Sequence, residues 1–139
     1  MSTEETRQVI DDFYAALKKG NRPRLLELLA PDVEWLPPAA APVAPMKGAE
    51  AIADALGGDI VRSTFDLSRP FGLEIRRMIA DGDFAVVQQR LTATAKATGA
   101  DYDNQYCWVY EVHDGRITLM EEYADTIVAG RAMGFLKEA

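Results

Sequence analysis

The stretch NQYCWVYEVHDGRITLMEEYADT, residues 104–126, alternates side chains on either side of an Asp-Gly pair, which is the pattern of a β-hairpin. What it places on the two faces is unusual. Asn104, Tyr106 and Trp108 share one face, and the return strand carries two adjacent glutamates, Glu121 and Glu122, so that one of them turns inward. A buried carboxylate needs a partner. The hairpin therefore either carries a site or encloses a structural acid.

Which glutamate turns inward depends on the turn. A two-residue turn at Asp114-Gly115 pairs Val112 with Ile117 and sets Cys107 opposite Glu122. A three-residue His113-Asp114-Gly115 loop with a G1 bulge pairs Val112 with Arg116 and sets Tyr106 opposite Glu122. One residue of slip exchanges the faces.

Upstream, LEIRRMIA (73–80) and FAVVQQRLTATA (84–95) keep the two-residue period and are joined by Asp81-Gly82-Asp83, a second hairpin. The two hairpins predict a four-stranded antiparallel meander. Before it the period is helical. Ser2 and Glu5 have capping-box spacing ahead of an apolar stripe at Val9, Ile10, Phe13, Tyr14 and Leu17, with Gly20 as a stop, so a helix is expected over about 4–19. Asn21 caps a second helix with Leu25, Leu26, Leu28 and Leu29 buried, ended by Pro31. DVEWL (32–36) reads as a short strand, and PPAAAPVAPMKG (37–48), with four prolines, as a loop and candidate lid. AEAIADAL (49–56) is a third helix, which Gly57-Gly58 breaks. The 139 residues form one α+β domain, 1–139, without repeat or linker.

Composition removes several function classes. A net charge of −7 with no cluster of basic residues argues against nucleic acid as a partner. No run reaches the ~20 apolar residues of a membrane span, and MSTEETRQ is too polar for a signal peptide, so a cytoplasmic location is expected. One cysteine and one histidine leave no intrachain disulfide and no Cys/His metal site, and no metal or other cofactor is expected. Cys107 and His113 lie six positions apart on one strand, about 20 Å at ~3.3 Å per residue, too far for a nucleophile and its base.

The element order, with FYAALKKGN (13–21), MKGAEAIADAL (46–56) and WVYEVHDGRITLMEEYADT (108–126), resembles the NTF2-like superfamily, in particular its SnoaL-like branch. The resemblance covers nearly the whole chain. It implies a cone in which a strongly curved antiparallel sheet wraps the N-terminal helices around a deep pocket, commonly in a homodimer. Ketosteroid isomerases, limonene epoxide hydrolases, polyketide cyclases and members without catalysis share that fold, so fold alone does not fix function. The ungapped likeness to limonene epoxide hydrolases favours the three-residue loop. In that register Asn104, Tyr106 and Trp108 share the inner face with Met120, Glu122 and Ala124, and Glu121 lies outside with Cys107 and Val109.

Three catalytic patterns of this fold bear on particular residues of the chain. Ketosteroid isomerases place an Asp base on the first strand and a Tyr on the first helix, where this chain has Trp35 and Phe13, with Tyr14 turned about 100° away. Epoxide hydrolases of this fold use Arg-x-Asp on the third strand, a second Asp on the last, and Tyr and Asn near the first. The matching residues are Gln89-Arg90-Leu91, Glu122, and Val33 with Trp35. SnoaL-like cyclases depend on one acid near the end of the last strand, and Glu122 stands there.

The resemblance thus implies a cofactor-independent cyclase or isomerase acting on an apolar carbonyl compound, with Glu122 as general base and Tyr106 and Asn104 holding the substrate oxygen. Trp35, Gln89, Leu91, Trp108, Met120 and Tyr14 would line the pocket. The alternatives are a ligand-binding protein without catalysis and a limonene-type epoxide hydrolase. Glu122 also fits a buried acid satisfied by Tyr106 or Asn104, the two tryptophans fit plain core or pocket wall, and Asp125 fits a cap. Cys107, Val109, Leu119 and Tyr123 on the outer face lead to the expectation of a homodimer through that face.

Overall fold

The computed structural model describes residues 1–136. Helix α1 (Thr3–Lys19) starts where Ser2 accepts a hydrogen bond from the Glu5 amide and ends at Gly20, whose φ of 61° is left-handed. Helix α2 (Arg22–Leu28) is capped by Asn21. Strand β1 (Leu29–Leu36) begins before Pro31, so the proline falls within the strand and not at the helix end.

After the proline-rich segment come the short strand β2 (Met46–Lys47) and helix α3 (Ala49–Asp54). Gly57-Gly58 does not stop the helix. The chain widens into a π-turn over Ala55–Asp59 and continues as α4 (Ile60–Thr64), with Gly58 at φ 156°, a conformation that residues with a side chain rarely adopt. Four long strands follow: β3 (Gly72–Asp81), β4 (Phe84–Thr94), β5 (Asp101–His113) and β6 (Arg116–Ala124). Helix α5 (Thr126–Met133), which the sequence pattern did not reveal, starts where Asp125 accepts from the amides of Ile127 and Val128.

The strands form one six-stranded sheet in the order β2-β1-β6-β5-β4-β3. It contains the expected antiparallel meander of β3, β4, β5 and β6, and it is mixed because β1 runs parallel to β6. The concave face receives α1, α2 and α3 in a core that includes Ile10, Phe13, Leu25, Val33 and Ile52. A smaller cluster of Phe65, Ala95, Tyr102 and Ala132 closes the other end under α5. No helix among the described residues is long and apolar enough to cross a membrane.

The last hairpin starts in the register of the two-residue turn and leaves it at a bulge. His113 pairs with Arg116 around a two-residue turn, Asp114 and Gly115 both having positive φ (50° and 77°), the signature of a type I′ turn. Val112 pairs with Ile117, but Glu111 then pairs with Leu119, leaving Thr118 as a bulge whose hydroxyl donates to the Glu111 carbonyl oxygen. Beyond the bulge Trp108 stands opposite Glu122 and Tyr106 opposite Ala124. This is two residues away from the register taken from the epoxide hydrolase likeness. Because strand faces repeat every two residues, the same side chains still point inward.

Candidate functional site

The inner wall of the cone is assembled strand by strand. Gln89 comes from β4, Tyr106 and Trp108 from β5, Glu122 from β6, and Trp35 from β1, which lies beside Met120 in the parallel ladder. Trp35 and Trp108 stack with ring centroids 6.1 Å apart, and Trp108 stacks in turn on Tyr110 at 6.0 Å. The Trp35 indole Nε1 donates to Glu122 Oε1 at 3.1 Å, the one hydrogen bond that carboxylate makes among the described residues. Burial pushes the Glu122 pKa up to about 7, against the opposing pull of the Trp35 bond.

Two lobes of one hollow meet at this carboxylate. The inner lobe, about 450 Å³, lies under α1 and the π-turn and is walled by Tyr14, Gln89, Leu91, Trp108, Tyr110 and Met120 among others. The outer lobe, about 370 Å³, opens between Pro37–Val43, α4 and α5. Trp35, Ile60, Phe65, Tyr106 and Glu122 belong to both. Of the residues singled out in the sequence, Glu122, Tyr106, Trp35, Gln89, Leu91, Trp108, Met120 and Tyr14 therefore meet around one space.

Asn104 does not reach it. Its side chain is buried, donates to the Tyr102 hydroxyl at 2.8 Å and to the Asp125 carbonyl at 3.0 Å, and accepts from the Gln105 amide. The amide on which a contact with a substrate oxygen was expected joins the end of β6 to β5. It nevertheless shapes the site. Tyr102 Oη accepts from Asn104 and is hydrogen-bonded to the Tyr106 hydroxyl, a pair in which either oxygen can be the donor. Burial holds the Tyr106 phenol protonated far above its ordinary range. A second buried pair, Tyr14 and Tyr110, joins hydroxyls at 2.6 Å on the inner lobe.

Tyr102 and Tyr110 were missed as wall residues, although they continue the same alternation as 104, 106 and 108. Ala129 and Met133 were missed with helix α5. The proline-rich segment does border the outer lobe through Pro37, Pro38, Ala41, Pro42 and Val43. Among the described residues its one backbone hydrogen bond outside regular strands between Pro37 and Pro45 is Ala41 to Pro38. Its amides are expected to exchange with solvent orders of magnitude faster than those of β4 and β5, and exchange as slow as in the sheet would remove its role as a lid.

The SnoaL-like domain family matches residues 10–120. Among solved structures, an NTF2-like protein from Burkholderia xenovorans is 27% identical with a TM-score of 0.80, the alignment covering 96% of this chain and 98% of that one. An LEH-like epoxide hydrolase from M. tuberculosis is 21% identical with a TM-score of 0.71, over 96% and 92%. A candidate SnoaL-like polyketide cyclase from Jannaschia sp. is 16% identical with a TM-score of 0.77, over 97% and 95%. No curated protein matches the chain.

Proposed function

Since the chain belongs to the SnoaL-like domain family, in which fold does not dictate chemistry, we propose that it is a cofactor-independent isomerase or cyclase of apolar carbonyl compounds with Glu122 as general base. The observation that carries this reading is the environment of Glu122. Its carboxylate faces a largely apolar hollow, has one indole donor, and is raised to a pKa of about 7, where it is both ionised and basic enough to take a proton at neutral pH.

In the proposed reaction a Glu122 oxygen removes a proton from the carbon beside the carbonyl. The C–H electron pair moves into the new C=C bond as the carbonyl π pair moves onto oxygen, giving an enolate. The Tyr106 hydroxyl, turned from Tyr102 towards the substrate, donates a hydrogen bond to that oxygen as its charge grows. Glu122 then returns the proton to another carbon of an extended enolate, giving an isomer, or the enolate carbon attacks a second carbonyl, whose π pair moves onto its oxygen and takes the proton from Glu122 as the ring closes.

Glu122 is the one carboxylate among the described residues lining either lobe. The two-carboxylate route to epoxide opening has Leu91 where its other acid would stand, so that route is the weaker reading. The test is deuterium exchange beside the carbonyl of cyclic ketones that fit the hollow. Exchange should rise with pH to a plateau above about 7. Ligands that bind but never exchange would leave a binding protein as the better description.

We propose further that two copies associate through the convex face of the sheet, where Ile79, Phe84 and Tyr123 are exposed beside the partly buried Val86, Val109 and Leu119. Sedimentation at micromolar concentration should give twice the 15.3 kDa of the monomer. A species that stays monomeric would dispose of the idea.

A further inference from the structure

Glu122 lines both lobes of the hollow, and Trp35, Ile60, Phe65 and Tyr106 line both with it, so these five side chains mark the junction. Beyond it the walls are separate. The inner lobe continues past Leu73, Leu91 and Tyr110 to the π-turn, the outer past Val43, Ala129 and Met133 to the proline-rich segment. At about 450 and 370 Å³, each lobe exceeds the ~150 Å³ that holds a benzene ring. Among the described residues Glu122 is the one acid on either wall, and Lys18, exposed in the last turn of α1, the one basic side chain. The Tyr14 and Tyr110 hydroxyls are bonded to each other. Both lobes therefore favour uncharged, apolar groups.

A ketone whose exchangeable C–H lay at one end of the molecule would fill one lobe and leave the apolar wall of the other against water. A ketone that carries this C–H between two apolar groups fills both lobes while presenting the carbon to Glu122. We propose that the substrate is of the second kind, its acidic carbon inside the molecule with an apolar ring or chain on each side, one in each lobe. The carbonyl is then central as well, because Tyr106, the donor to its oxygen, stands at the same junction. The placing of the acidic carbon rests on Glu122 being a base. The occupation of both lobes by one molecule does not.

Three ketones separate the two statements. Acetophenone has one ring. Deoxybenzoin and 4-acetylbiphenyl are isomers with two, the first with a ring on each side of its acidic methylene, the second with both rings on one side of its acidic methyl. By calorimetry on the whole protein, deoxybenzoin should bind about a hundredfold tighter than acetophenone, the gain expected from burying a second ring. Ala129→Phe, which narrows the outer lobe alone, and Leu73→Trp, which narrows the inner lobe alone, should each remove most of that gain. Measured against its exchange in buffer, the deoxybenzoin methylene should be accelerated about tenfold or more beyond the 4-acetylbiphenyl methyl. The comparison of ketones needs only the wild-type protein, so it stands even if a variant fails to fold. Deoxybenzoin no tighter than acetophenone, or a gain that neither variant reduces, would overturn the two-lobed site. Acceleration as large for 4-acetylbiphenyl would put the acidic carbon at the end of the substrate and overturn its placing. The full gain in binding with no exchange of either isomer would keep both lobes occupied by one ligand and dismiss Glu122 as the base.

Discussion

Glu122→Gln should lower turnover by about 10²–10⁴-fold, the range over which a positioned general base acts. The substitution keeps the size of the side chain and an oxygen to accept from the Trp35 indole, which lies 3.1 Å from the carboxylate. It removes only the capacity to take a proton. The affinity for apolar ligands should therefore stay within a few-fold, and the fall should appear in kcat rather than in KM. Were conversion to continue in this variant at the wild-type rate, Glu122 would be a structural acid and the hollow a binding site. A loss shared equally by binding and turnover would point instead to a wall that had collapsed.

The second large effect is on stability, and its sign is opposite. Burial raises the Glu122 pKa from its ordinary 4.5 to about 7. Between those values the folded protein holds a proton that the unfolded chain releases, so the contribution of Glu122 to stability is greatest below about pH 4.5 and is lost as the pH climbs to 7. At ~1.4 kcal/mol per unit, ionising this group costs the folded state about 3 kcal/mol above pH 7. The Glu122→Gln variant escapes that loss. Relative to wild type it should gain on the order of 10 °C in melting temperature at pH 8, and close to nothing at pH 4. Thermal unfolding of both proteins across that range checks it, and a variant less stable at pH 8 would mean that the carboxylate is better satisfied than its single donor implies. An enzyme made sturdier by removal of its base is the stability–activity trade expected of a working acid in an apolar place.

Much of this site was legible because a strand writes its two faces in alternate letters. The run 104, 106, 108 on one face follows from parity alone, whereas the side to which Glu122 points depends on register as well, and it survived a register wrong by two. Asn104 was on the correct face yet outside the hollow, because whether a side chain on that face meets a cavity or a neighbouring backbone depends on where α5 packs. That helix was hidden by its own composition. Ile127, Val128 and Gly130 are poor helix formers, and the segment is held by the Asp125 cap and by the packing of Gly130 and Ala132, not by local preference. The parallel pairing of β1 with β6 is equally a long-range matter, brought about by the way the chain returns around its helices. No pattern within DVEWL announces it.

Thr118 decides which of two adjacent carboxylates enters the hollow. If the pairing of Val112 with Ile117 simply continued, Glu121 would stand opposite Trp108 and Glu122 would face outward. The tandem acid means that loss of the bulge would exchange one glutamate for its neighbour, with Leu119 and Tyr123 replacing Met120 and Ala124 beside it on the inner face.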